Sequence, residues 1–131
     1  MKKFDISAIL SITGSSLVYL TGGFDEILIT LVCFMVLDYI TGMIASYKEK
    51  TWNSEKGSTG LLKKCTIIIL VIMATFLDRS LSSDYIFRSV VICFYIANEG
   101  LSILENAGRI GIPIPKRLLD ALEQLSNDQD Q

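Results

Sequence analysis

The chain has 131 residues, a formal net charge of −2 and no histidine. Half of the residues are hydrophobic and 20% are charged, below the roughly 25% charge of an ordinary soluble domain. One domain fits this length, no basic excess points to a nucleic-acid partner, and a chain without histidine is a poor candidate for a hydrolase triad or a zinc site.

Residues 6–22 begin the pattern. This stretch is apolar but diluted by Ser7, Ser11, Thr13, Gly14, Ser15 and Ser16. It is expected as a marginal first span or an interfacial helix. Lys2 and Lys3 ahead of it resemble the start of a signal peptide, but Asp5 stands where such a segment is basic. Residues 27–47 are long enough to cross a bilayer and carry one charge, Asp38, near their centre.

Residues 48–64 hold Lys48, Lys50, Lys56, Lys63 and Lys64 against Glu49 and Glu55, so the positive-inside rule sets them in the cytoplasm. Within them, TWNSEKGSTG at 51–60 reads as turn chemistry; it lacks the order of a phosphate-binding loop. Trp52 reads as an interfacial anchor. Residues 61–80 contain CTIIILVIMATFL, which is apolar all round. So short a chain cannot easily bury such a helix in protein, which favours a membrane span.

Residues 85–110 form an amphipathic span. Pro113 and Pro115 then break the helix, and KRLLDALEQL at 116–125 places Leu118, Leu119, Leu122 and Leu125 at helical spacing. A short amphipathic helix at the cytoplasmic surface is expected there, with a frayed polar end at 126–131. The fold class is therefore all-α: a single integral membrane domain with three or four transmembrane helices and a short cytoplasmic C-terminal amphipathic helix. Cys33, Cys65 and Cys93 each lie in an apolar run without a CxxC motif, and read as small hydrophobes. No cofactor and no metal are expected.

Two polar features stand out. Asp38 near mid-membrane costs about 3 kcal/mol unless it finds a partner or water. Thr41 and Gly42 lie one turn on, which suits close approach by another helix. The bland alternative is a span that starts later, leaving Asp38 shallow and solvated. In residues 85–110, Arg88, Tyr95, Glu99, Ser102 and Asn106 stack along one line, flanked by Asn98, Glu105 and Arg109. Cys93, Ala97, Leu101, Ile103, Leu104 and Ala107 occupy the other surface. Several copies turning this stripe to a shared aqueous lumen would satisfy it. So would burial within one small bundle, with Arg88 pairing Asp78 or Asp84 and Glu99 hydrogen-bonded to an Asn98-type partner.

Asp38-Tyr39-x-Thr41-Gly42, Gly57-x-x-Gly60 with Lys63-Lys64, and Asn98-Glu99-Gly100-x-Ser102-Ile103-x-Glu105-Asn106 leading into Gly111-Ile112-Pro113-Ile114-Pro115 occur in this order. Over residues 27–125 the chain resembles the phage lysis and toxin-secretion holin family of Gram-positive bacteria. The resemblance implies a non-enzymatic, multi-pass protein of the host bacterial cell membrane. Such proteins associate in the lipid bilayer as homo-oligomers and open lesions that release an endolysin. Clostridial relatives are implicated in toxin release. The cargo needs no direct contact, and the family supplies no catalytic residue. An antiholin-like regulator, or an accessory scaffold recruiting a soluble partner through KRLLDALEQL, is the alternative.

Overall fold

The computed structural model describes residues 5–128; Lys2 and Lys3, which resemble the start of a signal peptide, lie outside them, as do residues 129–131 of the expected frayed end. Five α-helices and no strand occur among the described residues: α1 (Ile6–Leu20), α2 (Glu26–Lys48), α3 (Ser54–Leu81), α4 (Ile86–Ile110) and α5 (Lys116–Asn127). The protein is all-helical, and α2, α3 and α4, with 23, 28 and 25 residues, are long and apolar enough to cross a membrane. Helix α1 has 15 residues, or about 22 Å at 1.5 Å per residue, short of a ~30 Å hydrocarbon core.

Helix α1 manages its hydroxyls internally. Ser11, Thr13, Ser15 and Ser16 each donate to a carbonyl one turn back, so the polar side chains remain satisfied on an apolar surface. None of its residues is buried. At its end Arg79 of α3 donates to the Tyr19 carbonyl at 2.5 Å and stacks 4.2 Å from the Tyr19 ring centroid.

Helices α2 and α4 pack along most of their length, α3 lies against α4, and α5 folds back on α4. The core is Leu28, Leu31 and Met35 of α2, Ile67 and Val71 of α3, and Ile92 of α4. Around it an apolar belt that includes Val36, Ile40, Ile44, Ile69, Met73 and Phe76 remains exposed. A belt of that extent suits lipid or another copy of the chain, and would aggregate in water.

One expected boundary is corrected. Residues 51–60 are not a turn throughout: Asn53 caps α3 by accepting from the Lys56 N–H at 2.8 Å, and the helix runs from Ser54. Its glycines serve packing. A Cβ on Gly57 would stand 3.2 Å from the Tyr39 hydroxyl oxygen, which donates to the Gly57 carbonyl at 3.4 Å. The expected C-terminal helix likewise extends past 125, through Asn127, so Ser126 is helical and not frayed.

Candidate functional site

The three sequence motifs meet at one place. Asp38 lies ten residues before the end of α2, about 15 Å by helical rise, and Glu99 lies near the middle of α4. Lys64 reaches between them from α3: its ammonium donates to Asp38 Oδ2 at 2.5 Å and to Glu99 Oε2. The side chains of Lys64, Asp38 and Glu99 are 13%, 15% and 9% exposed. Charges this deep persist only with partners, and removing one member of a buried pair costs about 3–5 kcal/mol.

Asn106, one line of the α4 stripe further on, completes the cluster. Its Nδ2 donates to Asp38 Oδ1 at 3.1 Å, to the Asp38 carbonyl at 3.2 Å and to Thr41 Oγ1 at 3.0 Å. Gly42 makes room for it, since a Cβ there would lie 3.5 Å from Asn106 Nδ2. Arg109 donates to Asn106 Oδ1 at 3.3 Å and pairs with Glu49 at 2.7 Å. That guanidinium holds the exposed Glu49 carboxyl below its ordinary range. Lys48 donates to the Ile110 carbonyl, one of the orphan acceptors at the end of α4.

A cavity of about 380 Å³ opens on this cluster. Asp38, Lys64, Glu99, Ser102 and Asn106 line its inner part, with Trp52, Lys56 and Lys63 among the lining residues nearer the α2–α3 connector. Asn98 also borders it.

A second cluster joins the opposite ends of the helices. Arg88, 2% exposed, donates to the Thr21 carbonyl at 2.6 Å, the Gly23 carbonyl at 3.0 Å and both Asp25 oxygens at 2.8 and 2.9 Å. This corrects the expected pairing of Arg88 with Asp78 or Asp84. Asp78 instead accepts from the backbone N–H groups of Phe87 and Arg88, at 3.0 and 2.7 Å, and from the Ser83 hydroxyl at 2.6 Å. It caps the first turn of α4, after a turn in which Ser82, Asp84 and Tyr85 take positive φ. Gly22, at φ +80°, is required on two counts: the left-handed backbone, and a Cβ that would meet Arg88 Nε at 2.9 Å. The Arg88 guanidinium holds the Asp25 carboxyl below its ordinary range.

The stripe read from the sequence is therefore split. Arg88, Glu99 and Asn106 are buried toward α2 and α3. Tyr95 is half-buried against the apolar core and Ser102 half-buried at the cavity. Asn98 is half-buried on the α4 flank and Glu105 is exposed. Glu99 pairs with Lys64, not with an Asn98-type amide. Lys64 and Tyr39, singled out above only as motif residues, and Asp25 and Glu49 contribute to these clusters without having been among the candidate site residues. The two carboxylates lacking cations were the available signal for Lys64.

A family model described as the bacteriophage holin family matches residues 15–127. A probable holin of Bacillus phage phi105 is 36% identical over 96 residues, covering 73% of this chain and 71% of the relative. An uncharacterized 14.9 kDa protein of the nagH 3′ region of Clostridium perfringens is 44% identical over 115 residues, 87% of each chain. An uncharacterized protein of Listeria monocytogenes, Lmo0128, is 44% identical over 100 residues, 76% of this chain and 71% of its own. No solved structure matches.

Proposed function

The chain belongs to the bacteriophage holin family, a family of non-enzymatic membrane proteins, and from that premise we propose that it assembles as a homo-oligomer in the cytoplasmic membrane of a bacterial host and opens lesions that release an endolysin, or a toxin in a clostridial setting. The cargo passes without binding a dedicated surface. The α2–α3 connector and the C-terminus face the cytoplasm, and the turns holding Asp25 and Asp84 face outward. Lys48, Lys50, Lys56 and Lys63 at one end of the bundle support that orientation.

The observation that carries this reading is the cavity that opens at the lysine-rich end and reaches Asp38 of α2, Lys64 of α3 and Glu99 of α4. A bundle of three spans is too thin to enclose a channel, and its exposed apolar belt offers faces for copies to pack side by side. In such an assembly Ser102, Asn98 and Glu105 on α4 border shared water, while Asp38, Thr41 and Gly42 hold α2 against α4.

The test is expression in a bacterium carrying a separately induced endolysin. An abrupt loss of membrane potential followed by endolysin-dependent lysis is expected. Full-level accumulation in the membrane with no change in potential or growth would overturn it.

One observation favours a second reading. Arg88, Glu99 and Asn106 all find partners inside one protomer, so the bundle is self-sufficient and suits an antiholin-like regulator. Co-expression with an active pore former separates the two: a regulator delays lysis, whereas a holin does not. A scaffold recruiting a soluble partner through the leucines of α5 is less favoured, because Leu122 of that face already seats on Gly100 of α4, which leaves only Leu118 and Leu125 exposed.

A further inference from the structure

The cavity at the lysine-rich end holds more positive charge than its own carboxylates neutralise. Lys56, Lys63, Lys64 and Arg109 line it, against Asp38 and Glu99. Lys64 is held by both of those carboxylates, and Arg109 by Glu49. Lys56 and Lys63 are exposed and form no ion pair among the described residues. Lys64 also marks the point where the polar start of α3 gives way to the apolar run from Cys65, and Trp52 stands at the same end of the bundle. The cavity therefore lies where headgroups meet hydrocarbon.

Two apolar grooves share walls with it. One, of about 430 Å³, takes Met43 and Trp52 from the cavity and continues over Ile44 and Tyr47. The other, of about 340 Å³, takes Tyr39 and Lys64 and runs between α2 and α3 to Val32 and Ile68. From Tyr39 to Val32 is about 10 Å by helical rise. The gap exists because α2 packs far more closely on α4 than on α3. Polar surface is thus gathered in the cavity and apolar surface in the grooves, the division found in a molecule with one charged head and two hydrocarbon chains.

We infer that the cavity and its grooves hold an anionic phospholipid, with its phosphate at Lys56 and Lys63 and its acyl chains along Ile44 and Tyr47 and along the α2–α3 gap. Basic pockets between spans suit such headgroups. Asp38 and Glu99, further in, disfavour a second phosphate, so a singly charged headgroup such as phosphatidylglycerol fits. A free anion would pair the lysines but leave the grooves bare. A second copy in the same orientation would fill a groove but bring its own Lys56 and Lys63 level with these, like charge against like. The site requires only that α2 and α3 span the membrane, and dye release or lysis plays no part in its test.

The test uses the full chain in vesicles of equal phosphatidylglycerol and phosphatidylcholine, with brominated chains on one lipid or on the other. Trp52, the only tryptophan, borders both the cavity and the first groove and is quenched by the lipid beside it. Brominated phosphatidylglycerol is expected to quench it as though bound about fivefold or more in preference to phosphatidylcholine. That preference is expected to persist at about 0.5 M salt, where diffuse attraction is screened within about 4 Å. Lys56→Gln combined with Lys63→Gln is expected to abolish it. Lys50→Gln, a connector lysine that does not line the cavity, is expected to leave it unchanged. Equal quenching by the two lipids in the wild-type chain would overturn the site. So would loss of the preference in salt, or an equal loss in Lys50→Gln, either of which reports a diffuse basic surface. Loss of the preference on adding inorganic phosphate would assign the lysines to a soluble anion instead. Weak quenching by both lipids that rises as the protein is diluted in lipid would show that a second copy covers the grooves, and would overturn the site as well.

Discussion

Glu99 of α4 is held by Lys64 of α3, and the same ammonium binds Asp38 of α2, so one cation ties three helices together. Lys64→Met is expected to leave two carboxylates facing each other in a half-buried site. The expected loss is about 3–5 kcal/mol, read as a fall in thermal unfolding midpoint in detergent micelles. Adding Asp38→Asn and Glu99→Gln to that variant removes the uncompensated charges and is expected to recover part of the loss. An unchanged midpoint in Lys64→Met would show that the three side chains do not pair.

At the other end, the Arg88 guanidinium lowers the Asp25 carboxyl relative to its unfolded value. The contact therefore contributes fully above the ordinary carboxylate range near 4, and its contribution is lost as pH falls through the lower folded value. The unfolding midpoint of the wild-type chain is expected to drop more steeply below about pH 4 than that of Asp25→Asn. Parallel curves for the two proteins would contradict the pairing. The effect is modest, because half of the Asp25 side chain is exposed and solvent screens it.

Gly57 and Tyr39 set the distance between α2 and α3 near the connector. Gly57→Val is expected to push against the Tyr39 ring and destabilise by about 1–3 kcal/mol. Tyr39→Ala in the Gly57→Val background is expected to restore part of the loss, which a double-mutant cycle measures as coupling. Strict additivity would show that the two residues do not meet.

Asn106→Leu removes a donor shared by Asp38 and Thr41 and the acceptor used by Arg109. A loss of about 1–3 kcal/mol is expected, along with weaker permeabilisation at equal membrane content, measured with a potential-sensitive dye. Full permeabilisation at reduced stability would separate the brace from the function.

The spans, their order and the amphipathic α4 were legible in the sequence, because hydropathy and period are properties of one helix taken alone. Asp38, Thr41, Gly42, Glu99 and Asn106 were legible as a polar group for the same reason: each breaks an apolar run. The extent of α3 was not, since Gly57 and Gly60 read locally as a turn and only the approach of Tyr39 explains them in a helix. Nor were the partners. Whether Glu99 meets Asn98, Lys64 or water depends on how far α3 and α4 are rotated and slid against each other, and Lys64 reads along the chain as one more connector lysine. Arg88 finding Asp25, 63 residues away, follows from the sharp turn at Gly22 that brings the start of α2 beneath α4. Composition and periodicity thus determined a helical membrane protein with a hydrophilic seam. The pairing that seals the inner part of that seam, and the fold-back that turns the charges of α5 outward, were decided only by helices meeting in three dimensions, because an ion pair requires both distance and facing.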